Sequence, residues 1–92
     1  MPDYNSIFQS LLILQEETYP NAYDEVDVQL LKQLNTAFWV ITRDRDTRLK
    51  LMGEVVGRTL KSTYDLTVGE AHALLKLCDQ PTFIAAMKGE TQ

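Results

Sequence analysis

Residues 65–78 read DLTVGEAHALLKLC. Thr67 stands before an apolar run, and Glu70 follows three residues later. A threonine hydroxyl placed there can accept from the first turn of a helix while the glutamate reaches back to the threonine N–H, the reciprocal arrangement of a capping box. Leu66 and Ala71 sit where a hydrophobic staple packs. Ala71, Leu74, Leu75 and Cys78 then share one helical face. The stretch predicts a helix with a defined start, and the same spacing governs nearly everything around it.

Downstream, Asp79-Gln80-Pro81 marks a turn. Pro81 suits the first turn of a further helix, with Phe83, Ile84 and Met87 facing inward and Gly89 ending it. Upstream, Arg58 to Asp65 leaves room for a short extended piece, with nothing to build a sheet. A third helix is expected over about Thr47 to Gly57, apolar around much of its circumference through Leu49, Leu51, Met52, Val55 and Val56. The second helix starts between Asp24 and Asp27, where carboxylates favour a helix N-terminus. Its stripe is Leu30, Leu31, Leu34, Phe38 and Ile41. No Pro or Gly separates it from the third, yet Thr42, Asp44 and Asp46 can each cap, so the residues leave open whether these are two helices or one bent one. The first helix runs from Asp3 or Asn5 to about Thr18, ahead of the Tyr19-Pro20-Asn21 turn. Tyr4, Ile7, Phe8, Leu11 and Leu14 form its stripe, with Leu12 and Ile13 widening it. The expectation is an all-α fold, a small bundle of four to five helices in one domain over residues 1–92.

The totals agree. Hydrophobic content of 45% in 92 residues is enough to offset ordering entropy, although a chain this short buries a modest core and gains from self-association. The longest apolar runs, Ala37 to Ile41 and Phe83 to Met87, are far too short for a membrane span. With no basic n-region at the start and a single cysteine, Cys78, the expected setting is a reducing cytoplasm. One Cys and one His do not supply a structural zinc site, and no phosphate or dinucleotide motif is present, so neither metal nor cofactor is expected. His72 and Cys78 have no partner that would make a nucleophile and base, and read as a boundary residue and a small buried hydrophobe. Glu16/Glu17 and Asp24/Glu25 are adjacent pairs that point apart on a helix and read as solvated charge. No enzyme is expected.

Binding is the choice that remains. The net charge of −4 divides along the chain: residues 1–42 carry −5, residues 43–61 carry +3 and residues 62–92 carry −2. The basic island holds Arg43, Arg45, Arg48, Lys50, Arg58 and Lys61, and it follows the chain's one tryptophan, Trp39. These cations could contact phosphates, with Trp39 stacking a base. Alternatively Asp44 and Asp46 neutralise the arginines as a solvated network, which the overall acidity favours. Trp39 points away from the second helix's stripe, alongside Val28, Lys32, Asn35 and Arg43. It is either core, covered by another helix as Val28 favours, or the anchor of a protein interface. The apolar third helix makes a homodimer a natural expectation.

Residues 51–77, LMGEVVGRTLKSTYDLTVGEAHALLKL, resemble the short helical C-terminal tail of phage and bacterial DNA-recombination proteins of the single-strand annealing type. The matching residues are Gly57, Arg58, Ser62, Asp65, Leu66, Thr67, Glu70, Ala71, Leu74 and Leu75, within less than a third of the chain. Residues 1–50 are too short and too helical to be the annealing core that precedes such a tail. The resemblance implies a phage-like or mobile-element protein working near DNA metabolism. Together these readings point to a small accessory or regulatory protein acting by protein–protein binding, as adaptor or inhibitor. The alternative is a nucleic-acid-binding module using Trp39 and the Arg43–Lys61 segment.

Overall fold

The computed structural model describes residues 3–90. The helices are α1 (Tyr4–Thr18), α2 (Val28–Trp39), α3 (Arg45–Val56), α4 (Val68–Cys78) and α5 (Pro81–Glu90), with one 3₁₀ turn at Thr63–Asp65. Each of the first four starts on a side chain that accepts from the first turn: Asp3, Asp27, Asp44 and Thr67. The bundle is therefore all-α, and α2 and α3 are two helices. The Asp44 carboxylate accepts from the Thr47 N–H at 2.9 Å and from its hydroxyl at 2.6 Å, which restarts the helix. Those bonds hold the Asp44 carboxyl below its ordinary value.

Helix α4 is the centre. It packs against α1, α2 and α5, while α3 lies on α1. Its capping box is complete, with Glu70 N–H donating to Thr67 Oγ1 and Thr67 N–H donating to Glu70 Oε1. The loop after α1 satisfies its other leading N–H groups: Val68 donates to the Asp24 carbonyl and Gly69 to the Ala22 carbonyl, both at 2.9 Å. Val26 N–H donates to Leu66 C=O nearby, and Glu25 and Thr67 form an isolated bridge, the only β pairing among the described residues. At the other end, Asn5 Nδ2 donates to the Val55 carbonyl at 2.8 Å and Gln9 Nε2 to the Val56 carbonyl, closing orphan acceptors of α3.

The core is built on Phe8, Leu34, Phe38, Met52, Leu66, Leu74, Leu77 and Phe83. Phe83 meets Tyr4 edge-on at 5.1 Å and Phe38 at 6.3 Å, which ties α5 to α1 and α2. The α2 stripe is buried as expected. The α1 stripe is rotated: Leu14 is 55% exposed and Ile13 56%, and Gln15 is buried instead. Helix α1 turns the line Tyr4, Phe8, Leu11, Leu12 and Gln15 toward α4 and α3, so its last apolar pair faces out. Gly89 lies inside α5 and does not end it. Between α3 and α4 the chain runs through an irregular stretch with Ser62 and Leu66 in extended backbone on either side of the 3₁₀ turn, which Ser62 and Asp65 hold with a second capping box.

Candidate binding groove

Gly57 adopts φ +94°, the left-handed conformation that ends α3, and its N–H donates to the Gly53 carbonyl at 2.8 Å. The chain then turns back along α3, and Arg58 N–H donates to the same carbonyl at 3.1 Å. The return passes so close that a Cβ on Gly53 would stand 2.7 Å from the Arg58 carbonyl oxygen. Between helix and returning segment lies an open groove of about 520 Å³. Arg45, Leu49 and Gly53 line it at four-residue spacing, as do Asp46, Lys50 and Glu54, and Arg58 to Lys61 form the opposite wall. Leu49, Gly53 and Leu60 are buried and make an apolar floor, whereas Arg45, Lys50 and Lys61 are exposed cations at the rim.

Arg58 lines this groove, but its charge is committed. Its Nη1 donates to Glu70 Oε2, its Nη2 donates to Glu70 Oε1 at 2.8 Å and to the Asp65 carbonyl at 2.8 Å. Glu70 holds the guanidinium above its ordinary value. Burial works to raise the Glu70 carboxyl, but hydrogen bonds from Arg58 and Thr67 overcome it and hold the group below the usual carboxylate range. Arg58 is thus a clamp between the returning segment and α4. Arg45 reaches Asp46 only at 3.8 Å, with both side chains well exposed, a contact of little energetic weight. The expected local neutralisation by Asp44 and Asp46 therefore comes to one loose pair, since Asp44 serves as a cap.

Trp39, Arg43 and Arg48 lie elsewhere, at the α2–α3 turn. Trp39 is 50% exposed, so it is not core: α4 covers the opposite face of α2. The Arg43 guanidinium sits over its ring at 5.7 Å. Arg48 is half-buried and donates through Nη1 to the Arg43 carbonyl at 2.7 Å, bracing the turn, while its Nε is buried without a partner. The structure gathers Arg45, Lys50, Arg58 and Lys61 around the groove and leaves Trp39, Arg43 and Arg48 outside it. Residue patterning alone missed Leu49 and Leu60 as a floor and Glu54 as part of the rim. The available signal was the Gly53/Gly57 pair, which lets the chain fold back on its own helix.

A second notch, of about 280 Å³, is lined by Tyr19, Asn21, Asp27, Gln29, Gln33 and His72, among others. His72 stacks on Tyr19 at 4.5 Å, and burial pushes its imidazole down. Burial also pushes the Cys78 thiol up to about 12, which keeps it protonated. Among the described residues no cluster could hold a metal ion, and no helix is long and apolar enough to cross a membrane.

No family model, characterised protein or solved structure matches this chain. The residues on which the expected resemblance to recombination-protein tails rests serve the fold here. Gly57 turns the chain, Arg58 clamps Glu70, Ser62/Asp65 and Thr67/Glu70 are the two capping boxes, and Leu66, Ala71 and Leu74 are core.

Proposed function

We propose that this chain is a non-enzymatic accessory protein that acts by protein–protein binding, and that the α3 groove receives an acidic, apolar-bearing segment of its partner. The observation that carries the reading is the combination of a buried apolar floor, Leu49, Gly53 and Leu60, with rim cations Arg45, Lys50 and Lys61 that have no strong ion pair. Apolar contact supplies affinity in such a groove, while complementary charge selects and orients the partner. A phosphate backbone fits less well, because the apolar floor offers nothing to a sugar or phosphate. The likeness of residues 51–77 to recombination-protein tails supports a regulatory setting near DNA metabolism or defence.

The test is fluorescence anisotropy with labelled probes: an amphipathic peptide of leucine and glutamate, the same peptide with lysine for glutamate, and a single-stranded oligonucleotide. The acidic peptide should bind, the basic one should not, and Lys50→Glu with Lys61→Glu should abolish the signal. Oligonucleotide binding that falls steeply with salt and quenches Trp39 would instead establish a nucleic-acid module.

A further inference from the structure

The groove has a complement on the same molecule. Ser10, Ile13, Leu14 and Glu17 form the outer face of the last turns of α1, and Ile13 and Leu14 are the apolar side chains that the rotated stripe leaves in solvent, 56% and 55% exposed. Glu16 and Glu17 adjoin them, and exposed Asp24 and Glu25 follow in the next loop. This knob pairs two branched apolar groups with carboxylates, and the groove pairs an apolar floor with three rim cations, Arg45, Lys50 and Lys61, that outnumber its two carboxylates, Asp46 and Glu54. The charge division along the chain has the same sense, −5 over residues 1–42 and +3 over residues 43–61. Within one chain the two features do not meet. Ile13 and Leu14 face solvent, and α1 touches α3 through Asn5 and Gln9, at the far end of the helix.

We infer that the groove's occupant is a second copy of this chain, docking Ile13 and Leu14 over Leu49 and Leu60 with Glu17 against Lys50 and Lys61. The inference rests on the groove reading above and names its partner. Two copies can satisfy the contact reciprocally, each knob in the other's groove, as a symmetric pair. Where each copy instead gives its knob to one neighbour and its groove to another, the same contact closes into a ring or continues as an open chain.

Sedimentation equilibrium over a concentration series tests it, with two variants changed only at exposed positions: Ile13→Ser with Leu14→Ser, and Lys50→Glu with Lys61→Glu. Circular dichroism checks that both fold. The wild-type mass should rise with concentration to a dimer or beyond, and each variant alone should stay monomeric. Mixed in equal amounts, the variants should form a dimer that grows no further, since one contributes the only intact groove and the other the only intact knob. A monomeric wild type, association that survives in either variant, or a mixture that stays monomeric overturns the inference. The acidic peptide separates the two ways to fail. If it still binds the wild type, the groove stands and another protein fills it; if it does not, the groove reading falls as well.

Discussion

Arg58 and Glu70 form a charged pair that the fold depends on. The Glu70 side chain is 8% exposed and the Arg58 side chain 45%. Removing the cation strands a buried carboxylate, which costs about 3–5 kcal/mol in a dry interior. Water already reaches Arg58, so the expected loss for Arg58→Met is smaller, about 2 kcal/mol, or a melting point lower by roughly 8–16 °C. The pH dependence has a definite sign. Glu70 titrates lower in the folded chain than in the unfolded one, so the pair's contribution is complete above the unfolded value, about 4.3, and is lost as pH falls through the folded value. Urea unfolding of wild type and Arg58→Met should differ at neutral pH and converge in acid, once the pH is below the folded value of Glu70. A difference that persists in acid would mean that the Arg58 stem, and not its charge, is what matters. Trp39 makes the opposite case. Half in water and outside both knob and groove, it should emit like a solvent-exposed indole and quench readily with acrylamide. Trp39→Phe should change stability by less than about 0.5 kcal/mol. Its emission should also ignore protein concentration while the chain assembles; a blue shift on concentration would move the interface to the α2–α3 turn.

At the scale of elements, the helices were legible because their signals are local, and the Thr67/Glu70 box marked the start of α4. The other starts were narrowed only to Asp3 or Asn5, to Asp24–Asp27 and to Thr42, Asp44 or Asp46, and the structure selects Asp3, Asp27 and Asp44. The rotation of α1 was not legible. Leu11 to Leu14 are all apolar, so periodicity does not say which of them face in; that depends on α3 and α4 packing against one side. The return after α3 was missed for a related reason. Ser62 and Asp65 carry the same box signature as Thr67 and Glu70, but no apolar run follows to draw attention to it. Gly53 decides that element. Gly53→Ala forces a methyl group against a backbone oxygen that cannot swing aside, with an overpacking cost of about 1–3 kcal/mol. The segment from Arg58 to Leu60 can relieve the clash only by moving off α3, which deforms the groove. The variant should stay helical by circular dichroism yet lose acidic-peptide binding. Unchanged binding would show that the floor at Gly53 takes no part.

At the scale of the whole molecule, composition and helical spacing were enough for an all-α bundle, whereas the groove belongs to no single segment of sequence. Its cations come from α3 and from the stretch after it, and what joins them is a glycine turn and the clamp to α4. Cooperativity is likewise a property of the whole, and Cys78 reports it. The thiol, pushed up to about 12 at the end of α4, should alkylate at mildly alkaline pH at least about 10³-fold more slowly than an unstructured cysteine. Cys78 ends α4, three residues before α5, and packs partly buried against the core, while α5 is pinned by Phe83 between Tyr4 and Phe38. Labelling in rising denaturant should therefore follow the global unfolding seen by circular dichroism, with the same slope. Phe83→Ala removes the pin at about 3–5 kcal/mol out of a total of roughly 5–14 for a chain of this length. In that variant labelling should outrun the loss of helix, because α5 can then leave while α1 to α4 stay together. If wild-type labelling already outruns unfolding, α5 is an independently opening unit, and the Phe83 contacts do not couple it to the bundle.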